Sequence, residues 1–175
     1  MALPLLPPLA PQLARSASEI PDGDGWMYEP KFDGFRAIVF VDGVTATIQS
    51  RGGKQLSRYF PELRFPDGRY VLDGEIVIRI GDGHENFELL QSRIHPAASR
   101  VALLAQEIPA TFIAFDLLAL GDESLLSEPF ASRRQRLEQH VSAPVQLSPL
   151  VQTAGAAAEW LQTAEGVIAK ERDAP

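Results

Sequence analysis

Short runs of β-branched and aromatic residues, separated by glycine, proline and aspartate, recur along most of the chain. Such runs predict strands, because branched and aromatic side chains favour extended backbone and the turn residues end each run. Two of them are joined only by Asp42-Gly43, a dipeptide typical of a hairpin turn. The predicted strands are residues 26–29, 36–41, 44–50, 70–80 (interrupted by Asp73-Gly74), 111–118, 145–147 and 166–170.

Apolar residues at helical spacing predict helices in the second half of the chain. Ser132 is expected to cap a charged helix that reaches about His140. Turns or loops are expected at residues 51–54, 81–83 and 121–124, where glycine and polar residues cluster. One predicted helix contains Phe87, Leu90 and Ile94, a second contains Val101, Leu104 and Ile108, and a third comprises residues 156–161. A short helical turn is also predicted in the first half of the chain, at residues 59–63.

The order of these elements, with hairpins first and helices between later strands, lacks a regular βαβ alternation. It predicts an α+β fold with largely antiparallel sheets. The proline-rich residues 1–25 are expected to form an extended N-terminal segment, and residues 26–175 the folded domain. A length of 175 residues suits one domain with a substantial core.

Composition narrows the functional classes. The chain has no cysteine, which excludes disulfides and thiolate metal sites, and its net charge is −7. A binding surface for nucleic acid would therefore have to be a local basic patch. The apolar residues 1–10 lack a basic start and contain prolines, so they do not predict a signal peptide, and no run is long enough to span a membrane. The sequence predicts a cytoplasmic protein.

The most informative stretch is residues 29–36, EPKFDGFR, between the first two predicted strands. A lysine at such a place is held by rigid elements, and a neutral lysine amine is a competent covalent nucleophile. The alternative is a solvated lysine in an ordinary Asp-Gly hairpin turn.

The motif Lys-x-Asp-Gly-x-Arg, here Lys31 to Arg36, resembles motif I of the covalent nucleotidyltransferases, which comprise DNA ligases, RNA ligases and mRNA capping enzymes. Four further motifs follow in the family's order. They are residues 50–52 (SRG, motif Ia), 73–75 (DGE, motif III), 115–118 (FDLL, motif IIIa) and 165–170 (EGVIAK, motif IV). With residues 11–14 (PQLA) and 87–93 (FELLQSR), the chain most resembles a bacterial ATP-dependent DNA ligase of the repair type.

This resemblance implies the nucleotidyltransferase fold of an adenylation domain, with two largely antiparallel sheets flanked by helices around a nucleotide cleft. It also implies a three-step reaction in DNA repair and recombination. A lysine attacks the α-phosphate of ATP to give lysyl-AMP, AMP passes to the 5′-phosphate of a DNA nick, and the 3′-hydroxyl seals the nick. Such displacements depend on positioning, charge neutralisation and metal ions. ATP, Mg²⁺ (or Mn²⁺), nicked double-stranded DNA and a monomeric state are expected.

The resemblance also implies the role of each site residue. Lys31 is the expected nucleophile, Glu165 and Glu75 are expected at the metal ion, and the remaining residues are expected to bind the nucleotide or a phosphate. These are Glu29 at the adenine edge, Arg36 at ribose or phosphate, Arg51 at phosphate or the terminal DNA nucleotide, Phe115 stacked on adenine and Lys170 near the α-phosphate. Glu75 is expected at the ribose hydroxyl as well as at a metal-bound water. Several of these residues also have a structural alternative: Phe115 as a core residue, and Arg36, Arg51, Glu75 and Glu165 as surface charges. Arg93 is expected to be structural or to contact the DNA backbone.

The family continues beyond motif IV to a Lys-x-Lys motif V and an OB-fold domain, and the sequence printed here has neither. The resemblance therefore predicts an incomplete adenylation domain that is weakly active alone, because motif V supplies positive charge at the reacting phosphate. Two alternatives remain at this point. One is an RNA ligase or capping-type guanylyltransferase, and the other is a non-catalytic remnant that binds nucleotide or DNA.

Overall fold

The computed structural model describes residues 2–81, 83–95 and 97–175. Within them a six-stranded sheet has the order β3-β2-β4-β7-β8, with β9 beside β7, and two-stranded sheets form from β1 with β10 and from β5 with β6. The strands are β1 (Trp26–Pro30), β2 (Phe35–Gly43), β3 (Thr45–Ser50), β4 (Gly68–Val77), β5 (Arg79–Ile80), β6 (His84–Glu85), β7 (Thr111–Leu120), β8 (Glu123–Ser124), β9 (Gln146–Leu147) and β10 (Val167–Glu171). The helices are α1 (Phe87–Ser92), α2 (Ala98–Glu107), α3 (Phe130–His140), α4 (Ala154–Ala157), α5 (Trp160–Thr163) and a 3₁₀ turn, Ser57–Tyr59.

The large sheet is buried on both faces, and the alternation along β2 shows how. Val39 and Val41 point into a main core that also receives Leu90 of α1 and Leu137 of α3. Their neighbours Ile38 and Phe40 point to the opposite face, as the two-residue period of a strand requires, and pack there with Leu3, Val71 and Leu118. The N-terminal segment thus covers the second face of the sheet, and the residues between 2 and 25 form no helix or strand.

The smaller β1–β10 sheet, called the ribbon below, stands beside this large sheet. Its strands are antiparallel, with Trp26 opposite Glu171 and Pro30 opposite Val167. Reciprocal backbone hydrogen bonds of 2.9 and 3.0 Å between Tyr28 and Val151 attach it to the segment before α4. Residues 31–34 then carry the chain from the end of β1 to the start of β2, so the ribbon and the large sheet meet at this connection.

The predicted α+β class with largely antiparallel sheets is confirmed; β7–β9 is a parallel pair. The predicted hairpin at Asp42-Gly43 is confirmed, with Gly43 in the left-handed region at φ 65°. Helices α1 and α2 and strand β7 are also confirmed. No helix in the described ranges is long and apolar enough to cross a membrane. The division of the chain into residues 1–25 and 26–175 stays a prediction.

Several local predictions were wrong. Strand β4 runs unbroken through Asp73-Gly74, and the irregularity is a shift in its register with β7 at that point. Ser132 does not cap α3, because the helix begins two residues earlier and Pro129 occupies the N-cap position without a side-chain hydrogen bond. Residues 156–161 form parts of two short helices, and residues 123–124 pair as β8 rather than remaining loop. In the predicted turn at 81–83, Asp82 lies outside the described residues.

Candidate active site

Lys31 lies directly after β1, at the point where the ribbon meets the large sheet. Its backbone N–H donates to the carbonyl oxygen of Gly166 over 2.9 Å, and its Nζ forms an ion pair with Glu165. Both side chains are about half exposed, at 50% and 43%. The amine is therefore anchored at its backbone and accessible at its tip, which is the arrangement that a covalent nucleophile requires.

The connection after Lys31 is not a hairpin turn, because β1 pairs with β10 and β2 pairs with β3 and β4. The backbone N–H of Asp33 donates to Glu85 Oε2 over 2.6 Å. Gly34 lies so close to β4 that a Cβ there would overlap the carbonyl oxygen of Ile76. The glycine of this motif thus allows the backbone of the connection to approach the sheet.

Arg36 on β2 is held by Asp73 on the neighbouring strand β4. Its Nε and Nη2 each donate to a different carboxylate oxygen of Asp73, both over 2.6 Å, and Nη2 reaches the carbonyl of Gln12 at 3.3 Å. Such a bidentate pair fixes the plane of the guanidinium group. Burial raises the pKa of Asp73, although the hydrogen bond and charge of Arg36 oppose this effect.

Glu75 is the residue opposite Arg36 in the pairing of β2 with β4. Its carboxyl is half-buried, and the pKa rises from 4.5 to about 8, chiefly through burial, with the charges of Asp73 and Glu85 adding to the rise while Arg36 opposes it. At neutral pH this carboxyl is therefore mostly protonated in the free protein. It can donate a hydrogen bond as well as accept one.

Phe115 on β7 is 8% exposed and lies beneath two cations. The guanidinium carbon of Arg36 is 4.5 Å from the ring centroid, and Nζ of Lys170 is 4.6 Å from it. These are cation–π contacts, which are strongest in partly desolvated places such as this one. A base that stacked on this ring would have to displace one of the two cations.

Glu29 is almost fully buried, at 2% exposure, and accepts from two cations. Lys170 Nζ binds one carboxylate oxygen over 2.6 Å, and Arg134 Nη1 donates to the other over 3.0 Å. Neither Arg134 nor Asp73 was among the predicted site residues. The signals were present, since Asp73 begins the Asp-Gly-Glu motif and Arg134 belongs to an arginine pair on a predicted helix.

Arg51 and Arg93 differ from each other in exposure. Arg51 is exposed at the end of β3, and its backbone N–H donates to the carbonyl oxygen of Arg36 over 3.1 Å. Arg93 is 0% exposed, forms a bidentate ion pair with Glu62 at 2.6 and 2.9 Å, and donates to backbone carbonyls. Arg93 is therefore structural, and the alternative of a DNA-backbone contact is wrong.

One cleft of about 1120 Å³ collects these groups between the ribbon, the large sheet and residues 9–15 of the N-terminal segment. Of the eight predicted site residues, Glu165 is not in its lining but reaches it through Lys31. Among the described residues, no group of three or more histidine and carboxylate side chains is placed to hold a metal ion. The seven that line the cleft are Glu29, Lys31, Arg36, Arg51, Glu75, Phe115 and Lys170.

Comparison with known proteins gives a consistent result. Residues 7–175 match the family model described as "ATP dependent DNA ligase domain". Two curated relatives are DNA ligase C1 of Mycolicibacterium smegmatis, 47% identical over all of this chain and 55% of its own length, and DNA ligase C of Mycobacterium tuberculosis, 44% identical over 97% of this chain and 51% of its own. The chain thus spans about half the length of these relatives.

A solved structure described as "mycobacterial DNA ligase D complexed with ATP and MES" superposes with a TM-score of 0.79 and 30% identity, over 95% of this chain and 55% of that one. The ligase domain of LigD from M. tuberculosis matches equally well, with a TM-score of 0.79 and 30% identity over 95% of this chain and 54% of its own.

Proposed function

We propose that this chain, which belongs to the family of ATP-dependent DNA ligases, binds ATP in the cleft and accepts AMP on Lys31. The observation that carries this proposal is the cleft itself. Residues from five separate motifs, far apart in sequence, line one cavity with an accessible lysine at its edge. Ligation of nicked double-stranded DNA, with AMP passed on to the 5′-phosphate, is the whole-protein activity that we propose for it.

In the proposed step, Lys31 Nζ forms a bond to the α-phosphorus of ATP while the bond to pyrophosphate breaks. The amine must first lose its proton, and pyrophosphate leaves with the electron pair of the broken bond. The ion pair with Glu165 holds Nζ at the mouth of the cleft before the reaction. Releasing that pair is thus the first requirement for attack.

The residues present fit a divalent cation bound together with ATP. Mg²⁺, or Mn²⁺, takes only one or two protein carboxylates when substrate phosphates supply other ligands, so a cage of three is not required. When bound, the cation neutralises charge on the phosphates that react. Glu165 is the accessible ligand of the two, whereas Glu75 must give up a proton near neutral pH before it can ligate a cation.

The nucleoside is proposed to lie against β7. Phe115 offers a ring for base stacking, which contributes about 1–3 kcal/mol per base. Stacking requires Lys170 or Arg36 to leave the ring. We assign the leaving role to Lys170, because Arg36 is fixed by two bonds to Asp73, and a displaced Lys170 can approach the α-phosphate. Glu29 is then the acceptor nearest the base.

The remaining polar groups are assigned by their place around this pose. Glu75, mostly protonated, can share a hydrogen bond with a ribose hydroxyl. Arg36 on β2 and Arg51 directly after β3 belong to the large-sheet side of the cleft, and we assign them to phosphates of the nucleotide or of a DNA end. With the exposed Lys54 and Arg58, they are the candidates for the local basic patch that a chain of net charge −7 needs to bind DNA.

Intact-mass spectrometry after incubation with ATP and Mg²⁺ tests the proposal. The wild-type chain should gain one AMP, and Lys31→Ala should gain none while keeping its thermal midpoint, because a half-exposed lysine contributes little to packing. Lys54→Ala, which removes an exposed loop lysine, is the matched control and should still be labelled.

Two outcomes would contradict the proposal. An adduct that persists in Lys31→Ala would remove the nucleophile assignment. Labelling by GTP in preference to ATP would identify a capping-type enzyme. Sealing of nicked DNA, compared with nicked RNA, by a protein that contains this chain then tests the DNA substrate.

A further inference from the structure

Arg134 of α3 is a buried arginine that connects three elements behind the cleft. Its side chain is 6% exposed. Nη1 donates to Glu29 Oε1 on β1 over 3.0 Å, Nη2 to the carbonyl of Ser148 over 2.7 Å, and Nε to Glu138 Oε1 over 2.7 Å. Each of the three guanidinium nitrogens of Arg134 therefore donates a hydrogen bond. Arg134 does not line the nucleotide cleft, so any effect on the nucleotide must pass through Glu29.

Glu29 is held from two sides that differ in mobility. On one side, Arg134 is immobilised by its hydrogen bonds to Ser148 and Glu138. On the other side, Lys170 has a flexible side chain whose Nζ lies 4.6 and 4.4 Å from the ring centroids of Phe115 and Phe130. The terminal torsion of a glutamate is broad, so its carboxylate turns easily unless its partners fix it. When Lys170 moves toward a phosphate, Arg134 is the one cation among the described residues that still fixes the Glu29 carboxylate.

We propose that Arg134 is a positioning residue that sets the purine selectivity of the cleft, by holding the Glu29 carboxylate as a fixed acceptor for a 6-amino group. This inference rests on the function proposed above. A carboxylate in a fixed orientation accepts a hydrogen bond from the 6-amino group of adenine, and it repels the 6-oxo group of hypoxanthine or guanine. A site built to pair one polar group rejects an analogue that lacks it, because its own buried group is then left unpaired.

Inosine triphosphate is a suitable probe, because it replaces only the 6-amino group and the adjacent ring nitrogen of ATP. The quantity measured is the ratio of the initial labelling rates of the chain with ATP and with inosine triphosphate. Wild type should favour ATP, and Arg134→Gln should reduce that preference by about tenfold or more, which corresponds to the loss of one well-oriented hydrogen bond. Arg134→Lys keeps the charge but not the fork, so its ratio should fall between the two.

The matched control is Arg136→Gln, on the same helix two residues further along. Arg136 pairs with Glu123 and Glu128 at the surface and has no contact with Glu29. Its substitution removes the same charge and two ion pairs, yet should leave the ratio of the rates unchanged. A fall in both rates of Arg134→Gln with a constant ratio would show that Arg134 has only a structural role, and would overturn the inference.

A binding measurement separates this inference from the proposed chemistry. In a Lys31→Ala background, the dissociation constants of ATP and inosine triphosphate are compared with and without Arg134→Gln. Loss of selectivity there supports Arg134 as a positioning residue even if the wild type forms no adduct, which would be a failure of the proposed function alone. If Arg134→Gln is unfolded by its melting curve, Arg134→Lys decides, and a wild-type ratio in that variant overturns the inference.

Discussion

The large sheet and the ribbon form opposite sides of the cleft, but they hold their charged groups in different ways. On the sheet, Arg36 and Asp73 are joined by two bonds of 2.6 Å, and Asp73 is 4% exposed. At the ribbon, Lys31 and Glu165 form a single ion pair between two half-exposed side chains. Buried bidentate pairs are fixed in place, whereas exposed single pairs exchange readily with water and ligands.

The packing behind each side explains the contrast. Strands β4 and β7 are buried along most of their length. In the ribbon, four of the five residues of β1 are buried as well, but every residue of β10 is at least partly exposed. Close packing makes a sheet of this kind resistant to small displacements. We infer that the large sheet holds its charged groups in fixed positions, whereas the ribbon carries the groups that must move during the reaction. Substitutions on the sheet should then change mainly stability, and those at the ribbon mainly chemistry.

The largest effect on stability is expected from Gly74→Ala on β4. A Cβ at this position would overlap the carbonyl oxygen of Ile113 and lie 2.5 Å from Phe112 Cζ. Because backbone on both sides is fixed by the sheet, the variant should lose about 3 kcal/mol of unfolding free energy, the upper end of the usual cost of overpacking. Urea denaturation followed by circular dichroism measures the loss.

Gly25→Ala is the control for this change. Gly25 is exposed, and nothing lies within 4 Å of the added carbon, so its unfolding free energy should stay within about 0.5 kcal/mol of the wild type. Equal stability of the two variants would show that the large sheet accommodates an added carbon as easily as an exposed loop does. The proposed contrast between the large sheet and the ribbon would then be wrong.

A second effect on stability is expected at Glu75 and depends on pH. Since burial raises the pKa of Glu75 from 4.5 to about 8, the folded state binds its proton more tightly than the unfolded state. The resulting stabilisation is complete below pH 4.5 and is lost as the pH rises through 8. Glu75→Gln mimics the protonated carboxyl, so at pH 9 it should be about 2 kcal/mol more stable than wild type, a difference of about 4–8 °C in thermal midpoint.

The difference between these two proteins is the quantity to follow, at each unit of pH from 5 to 9. It should grow from pH 5 and level off above about pH 8, where Glu75 is ionised in both the folded and the unfolded state. The other titrating groups are shared by the two proteins and cancel. A constant difference would mean that Glu75 ionises like an exposed carboxylate, and that water reaches its carboxyl group more freely than the packing of β4 indicates.

The sequence was most informative about residues whose chemistry is contained in a short motif. Seven of the eight predicted site residues line the cleft, because the spacing within each motif is local and can be recognised without knowledge of the fold. The role of Gly34 was less accessible. An Asp-Gly pair is typical of a turn, yet Gly34 is needed because β4 approaches its backbone, and a contact between residues so far apart in sequence leaves no local pattern.

Buried partners were the main omission, for a physical reason. Arg134 and Glu29 are 105 positions apart in sequence, and only the packing of α3 behind the ribbon brings them together. Charge patterning along a helix reports neighbours three or four residues away, such as Arg134 with Glu138, but says nothing about a partner on another element. The N-cap of α3 was misplaced for a related reason, since a serine near a helix start is a frequent cap but not an obligatory one.

The smallest effect in free energy, and the most specific to chemistry, is expected from Glu165→Ala at the ribbon side. The Glu165 side chain is 43% exposed, so its removal should leave the unfolding free energy within about 0.5 kcal/mol of wild type. If Glu165 helps to hold the cation, half-maximal labelling of Lys31 should require about tenfold more Mg²⁺, a loss of the size seen when a group that supports a metal is removed. ATP affinity measured without Mg²⁺ should change little, because the carboxylate would not touch the base or ribose. Glu159→Ala, an exposed glutamate before α5, is the control and should titrate with Mg²⁺ as wild type does. Coincident Mg²⁺ titrations of wild type and Glu165→Ala would remove the metal role and leave Glu165 only as the partner that holds Lys31 in the free protein.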